Sequence, residues 1–399
     1  MGVLIGKQRG EKVFTKIGKL AIIGFLVAVA LALVDTIWAV YMDSFFHSEA
    51  IVGFISAALT LIAIFFYFVL VPIVEKYKKS SLFFWSLILF GITYLLFAVN
   101  TKFYIFVILA FFLTIFYTLR TTTYGLIVKD KSNKTQLSKN EGLIYTFMNL
   151  AWVIGPLIAG YFANAYGINL IFLISAIFVF LSAIAFKISK ISDVNIKKKL
   201  DQNIFKNTKD FFKNKNRVLA YFISGAVNCW WVLIYLFMPM HIIRSGLNDL
   251  WIGYFLFAVA FPLVLFEYKF SKSAGKKGFR KIFKTGFGVI VLISLLCFFI
   301  TNIYAVLLLL AFASIGMAML ESTTEAYFFD IINKKDECKY YGPYNTGIDV
   351  CQFVGKVLAS VVLLFLPFNY IFLLFGFLMF LMFLLSFKIK NVIENRKIN

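Results

Sequence analysis

Six charged residues stand inside long apolar stretches of this chain: Asp35, Arg120, Glu321, Glu325, Asp349 and Lys356. An ionised side chain in hydrocarbon costs on the order of 2.5–3.5 kcal/mol on insertion scales, so such residues face a cavity, a polar path or an opposite charge. The carboxyl groups can load and release protons, and the two bases can pair with them. Glu321 and Glu325 lie one helical turn apart, near enough for like charges to interact. Asp349 and Lys356, seven positions apart on one helical face, fit a structural ion pair as well as a functional one. Amides and aromatic rings accompany the charges at helical spacing. Trp38 shares a face with Asp35, Asn149 with Trp152, and Asn228 with Trp231 and Tyr235. Such faces can orient an amphipathic solute, and they can equally serve helix packing. His47 and His241, the only histidines, read as solvated residues at the outer ends of apolar segments. No HExxH, no hydrolytic triad and no GxxxxGK[ST] loop occurs, so neither metal, cofactor nor enzymatic chemistry is expected.

The elements that must position these residues are membrane helices. A chain of 399 residues that is 61% hydrophobic and 15% charged, with a mean hydropathy of +0.88, has too few charges to cover a water-soluble globule. A spanning helix needs about 20 mostly apolar residues. Twelve stretches qualify, at 18–42, 50–74, 81–99, 103–128, 141–163, 169–187, 218–242, 250–268, 282–301, 303–329, 341–366 and 369–388. No alternating ten-residue pattern suggests a barrel, and open sheets cannot satisfy their edges in lipid. The first stretch is too long for a cleaved signal peptide and is expected to remain as the first span. The four cysteines form neither a disulfide framework nor a CxxC site.

Orientation follows from Lys and Arg. With a cytosolic N-terminus, 36 of the 40 basic residues fall in inner segments, leaving Lys102 and Arg244 outside and Arg120 and Lys356 within spans. Both termini are then cytosolic, in the plasma membrane. The same distribution explains the net charge of +21 without nucleic acid: the positive loops flank membrane ends, where they meet anionic headgroups. Membrane lipid is the expected partner, and nucleic acid is not.

The chain also repeats. A shift of 200 positions superposes Gly53 on Gly253, Asp130 on Asp330, Gly142 on Gly342, Thr146 on Thr346, Gly155 on Gly355 and Asn169 on Asn369, and Ile171-Phe172-Leu173 on Ile371-Phe372-Leu373. A common offset held from early spans to late ones implies an ancient duplication. The expected organisation is a six-helix half over 1–187, a basic cytosolic bridge over 188–217, and a second, parallel six-helix half over 218–399.

Within the fifth span, Gly155-Pro156 is followed by Ala159-Gly160. Small residues at that spacing admit a neighbouring backbone, and Pro156 bends the helix. Here the chain resembles the major facilitator superfamily of transporters, over its whole length. The Gly155-Pro156…Gly160 stretch is similar to that family's fifth-helix antiporter motif, with Ala159 in place of a glycine. Arg120 looks like its fourth-helix arginine, with Gly125 one residue late. Glu75 and Lys76, in the loop after the second span, resemble its acidic-basic loop motif, without the glycines. The resemblance implies an all-α membrane protein of two parallel repeats, a monomer, moving a small-molecule substrate by alternating access. Proton-coupled export of an amphipathic or cationic compound is expected. Alternatives are proton-coupled uptake of a metabolite, or a membrane enzyme or lipid scramblase on a similar helical frame.

Depth refines the expectation. Arg120 and Glu321, on equivalent fourth and tenth spans, both lie roughly 12–14 Å from the inner boundary. They are expected to face one another as a gate. Asp35 is expected roughly 14 Å further out than Arg120, too far to pair with it.

Overall fold

The computed structural model describes residues 2–131, 137–191, 193, 204–333 and 336–390. Among them there is helix and no strand. The first half holds α1 (Gly2–Phe46), α2 (Glu49–Lys76), α3 (Lys79–Val99), α4 (Phe103–Lys131), α5 (Leu137–Tyr166) and α6 (Ile168–Ile188). A short bridge helix, α7 (Ile204–Phe212), precedes α8 (Lys215–Val232), a π-helical turn (Leu233–Phe237) and α9 (Met238–Arg244). Then follow α10 (Asp249–Lys277), α11 (Phe279–Phe299), α12 (Ile303–Ile331), α13 (Glu337–Phe365) and α14 (Tyr370–Ser386).

Among the described residues, eleven spans are long and apolar enough to cross a membrane, α8 through α9 forming one of them over Lys215–Arg244. The twelfth apolar helix, α14, has 17 residues, shorter than the stretch 369–388 expected from sequence. Local chemistry sets the ends. The Asn214 side chain accepts from the N–H groups of Asn216 and Arg217 and so starts α8, and Asn302 does the same for α12 through Tyr304 and Ala305. Gly167, at φ 87°, makes the turn from α5 into α6 that a Cβ would strain.

The 200-residue offset is expressed in the helices themselves. α2 and α10 begin at 49 and 249, α4 and α12 at 103 and 303, α5 and α13 at 137 and 337. Ile171 and Ile371 are both fully buried.

The chain divides into two compact units, one of Met1–Tyr41, Leu61–Lys198 and Asn248–Tyr254, the other of Met42–Thr60, Lys199–Leu247 and Phe255–Asn399. In the first, α3 packs between α4 and α6 through buried Phe83, Phe90, Tyr94, Phe97, Phe106 and Phe172. Tyr124 and Ser182 donate to the carbonyls of Leu20 and Ile23, at 2.7 and 3.2 Å, and fasten α4 and α6 to α1. Gly155 lets α5 close on α1: a Cβ there would stand 2.6 Å from that of Ala32. A Cβ at Gly253 would stand 2.5 Å from the Pro156 carbonyl oxygen, so α5 also meets the start of α10 backbone to backbone.

In the second unit α11 packs between α12 and α14, and α8 against α13. Gly225 lies against Cys351 and Gly355 against Cys229, a reciprocal fit of small residues between α8 and α13. The bridge helix belongs here. Phe211 is fully buried, and Arg217 donates to the carbonyls of Phe211 and Asp210 at 3.1 and 2.5 Å, capping the end of α7. Hydrogen bonds from Lys213 and then Lys339 hold the Asp210 carboxyl below the usual carboxylate range.

Candidate functional site

Two polar constellations stand at membrane depth, one in each unit. In the first, α4 carries Arg120, whose side chain is nearly fully buried. Its guanidinium lies over the Tyr117 ring at 5.0 Å and near the Phe90 ring at 5.7 Å. Nη2 donates to the Thr121 hydroxyl at 3.0 Å, while Nε has no hydrogen-bond partner. Aromatic faces thus stabilise a cation that carries no ion pair within 4 Å among the described residues. Asp35 on α1 and Tyr94 on α3 are both within electrostatic reach of it.

α1 continues to Phe46 rather than ending at 42. Trp38, on the same α1, packs among Tyr41, Phe97, Phe106 and Phe172 at centroid distances of 5.4 to 6.4 Å. On α5, Asn149 is exposed and Trp152 half-buried.

The second constellation centres on Glu321 of α12. Its side chain is accessible in mid-span, with Glu267 of α10 within electrostatic reach and Trp231 of α8 placed to hydrogen-bond it. Trp231 in turn rests against Tyr235, ring centroids 5.6 Å apart. Asn228, on the same helix, donates to the Ser224 carbonyl at 3.1 Å. Glu325 is engaged differently: it accepts from the Tyr341 hydroxyl at 2.7 Å. On α13, Lys356 donates to Thr60 of α2 at 2.8 Å and is within electrostatic reach of Asp349. Arg120 and Glu321 fall in different units.

Glu267 and Thr60 escaped the sequence reading. Glu267 is the last residue but one of the stretch 250–268, whereas α10 runs on to Lys277. His241 differs from expectation as well. It is half-buried and stacked on Phe368 at 3.8 Å and 4°, because its helix continues to Arg244 and keeps the ring inside the last turn. Lys76 is exposed at the end of α2, and the side chain of Glu75 lies outside those described.

A third feature lies where α3 begins. Asp193 accepts from the Ser80 N–H at 2.9 Å and its hydroxyl at 2.7 Å, capping α3 from a distant part of the chain. Lys79 and Asp130 form an ion pair at 2.6 Å beside it.

The family model described as Major Facilitator Superfamily matches residues 20–294 and 270–397. The chain is 23% identical over 261 residues to an uncharacterized MFS-type transporter of Methanocaldococcus jannaschii, covering 63% of this chain and 66% of that protein. In fold it is similar to the nucleoside transporter NupG, with 12% identity, a TM-score of 0.74 and coverage of 94% of this chain and 100% of that one. A POT family transporter in complex with 5-aminolevulinic acid gives 14% identity and a TM-score of 0.75, covering 93% and 95% of the two chains.

Proposed function

The chain belongs to the Major Facilitator Superfamily, and we propose that it is a proton-driven secondary transporter that exports an amphipathic or cationic small molecule. The observation that carries this reading is the trio of Glu321, Glu267 and Trp231. Two carboxyl groups within electrostatic reach of each other, beside an aromatic ring, suit both a proton and an organic cation. Either guest relieves the same repulsion, so the two compete, and competition couples their movements. Asp35, within electrostatic reach of Arg120, supplies a further titratable group in the other unit. The Gly155-Pro156…Gly160 stretch supports export over uptake.

Alternating access between a midplane site and either face is the mode we assign, with the protein a monomer in the plasma membrane. Both termini and the basic bridge are placed in the cytosol, on the strength of 36 basic residues in inner segments. A membrane-impermeant thiol label applied to intact cells should then modify a cysteine introduced at Gly167 and not one at Asn203; the reverse pattern would invert the orientation.

The functional test uses purified protein in liposomes. With an acidic interior, uptake of an organic cation should follow the imposed pH gradient, and Glu321→Gln should abolish that dependence while the protein still folds. Cation flux in wild-type liposomes that ignores the gradient would remove proton coupling. The absence of flux for cations alongside counterflow of neutral or anionic solutes would remove the substrate class.

A further inference from the structure

The trio around Glu321 leaves Glu325 without a task. The two glutamates lie one turn apart on α12 and so share a face. The Glu325 carboxyl accepts from the Tyr341 hydroxyl of α13 at 2.7 Å, and Tyr344 of α13 is within electrostatic reach of it. No base lies within 4 Å of either glutamate among the described residues. Phenols rather than cations thus face Glu325 from α13. An acid placed only for charge balance in a membrane span would meet a base.

Rings hold the phenol in place. Tyr341 stacks on Phe329 with centroids 5.5 Å apart at 21°, Tyr344 stacks on Phe328 at 3.9 Å and 18°, and the two tyrosine rings lie 6.4 Å apart. Distance along the helices orders the groups. Glu321 and Glu325 precede the end of α12 at Ile331 by ten and six residues, and Tyr341 follows the start of α13 at Glu337 by four. By helical rise they stand roughly 15, 9 and 6 Å from that end, the one assigned to the cytosol above. The first half has Thr121, Gly125 and Glu141 at the equivalent positions, so the line belongs to the second half alone.

We propose that Glu325 and Tyr341 form the inner exit for the proton carried by Glu321; this rests on the proton-driven reading above. While Glu325 is ionised, Tyr341 donates to it, the arrangement seen here. A proton arriving from Glu321 leaves one carboxyl oxygen and forms an O–H bond on Glu325. The hydrogen bond to α13 then reverses: the Glu325 carboxyl gives its proton to the phenolic oxygen as the phenol gives its own to water at the inner face. Each hop breaks one O–H bond and forms one, so a single proton leaves and Tyr341 ends as it began. Tyrosine is among the side chains that transfer protons in this way. A 2.7 Å hydrogen bond passes a proton and nothing larger, so the route separates the proton from the organic guest of Glu321.

The experiment uses the full chain in liposomes and radiolabelled ethidium. Two rates are taken from each sample: uptake driven by an acidic interior, and exchange against unlabelled ethidium at equal pH, which needs no proton. Their ratio cancels differences in the folded fraction. Tyr341→Phe keeps the ring and removes the hydroxyl; Glu325→Gln keeps an acceptor for that hydroxyl and cannot take a proton. Each should lower the ratio about 100-fold, the low end of what a placed proton-transferring side chain contributes. A hydrogen bond that merely joins α12 to α13 would leave Glu325→Gln at the wild-type ratio. The relay is overturned if either variant keeps that ratio while wild type follows the gradient. Wild type that carries no ethidium, or takes it up regardless of the gradient, removes instead the proton-driven cation reading, and the relay with it.

Discussion

Replacing Gly253 by alanine puts a methyl group where two helix backbones touch. The added Cβ would stand 2.5 Å from the Pro156 carbonyl oxygen, about 0.9 Å short of the 3.4 Å at which ordinary contact begins, and 3.1 Å from Gly160 Cα. Neither neighbour is the end of a flexible side chain, so relief requires α5 and the start of α10 to separate. Overpacking of that kind costs about 1–3 kcal/mol. Alanine also gains about 1 kcal/mol of helix propensity over glycine, which would blur a comparison with wild type. Gly125→Ala removes the ambiguity: it sits within α4 with nothing within 4 Å of its added Cβ, so it collects the propensity gain alone. The difference between the two variants therefore isolates the contact, and Gly253→Ala should unfold at a distinctly lower temperature in one fixed detergent. Gly160→Ala, whose Cβ would stand 2.9 Å from Gly253 Cα and from the Asp249 carbonyl oxygen, intrudes on the same gap. Once the first methyl has parted the helices the second costs less, so the double variant should lose less than the two single losses combined. Gly253→Ala melting together with Gly125→Ala would refute the close approach of α5 and α10.

Other consequences are as direct. Asp193→Ala leaves the Ser80 N–H without its acceptor and should destabilise the protein by about 1 kcal/mol, as loss of a helix cap does; Asp193→Asn, which keeps an acceptor, should recover part of the loss in thermal unfolding. The Asp210 carboxyl is held below its ordinary value by Lys213 and Lys339, so its contribution is full above about pH 3.9 and is lost as the pH falls through the lower folded value. Protection of the α7 amides from hydrogen exchange, corrected for intrinsic rates, should therefore fall between pH 4 and pH 2 in wild type and be flat over that range in Asp210→Asn. Glu267→Gln should shift the pH profile of transport without abolishing flux; an unchanged profile would mean that Glu321 works without it.

How much of this was legible depends on whether the signal was local. Eleven of the twelve apolar stretches reappear as spans among the described residues, and the helix starts keep the 200-residue offset, because length and spacing are local properties. Which face of each helix is buried was not legible, since lipid is as apolar as a protein core. Phe65 is 62% exposed and Phe97 fully buried, although each sits in an equally apolar run. The discriminating residues are small and polar instead: Ser86, Ser175, Ser182, Ser294 and Ser386 are all fully buried, on helices whose exposed faces are Leu, Ile and Phe. The partners of charged residues were also hidden. Asp193 reaches Ser80 across 113 positions and Lys356 reaches Thr60 across 296, and no periodicity reports pairings of that length.

The repeat shows what was held constant and what diverged. Gly53 and Gly253 occupy equivalent positions, and each marks a crossing: Gly253 against Gly160 in the first unit, Gly53 against Ser360 in the second. Positions 160 and 360 are themselves equivalents under the same offset. The two crossings are therefore copies of one contact, kept small on both sides because a bulkier residue would part the helices. Between them the chemistry has diverged. Position 156 is a proline whose carbonyl borders Gly253, whereas 356 is a lysine that reaches Thr60. Arg120 has Leu320 as its equivalent, and Glu321 has Thr121. The basic residue of one half and the acidic residue of the other thus occupy adjacent registers rather than the same one. A duplicated scaffold held at its crossings leaves the intervening positions free to become polar, and in this chain Glu321, with Glu267 within electrostatic reach, stands beside Trp231 in the second unit.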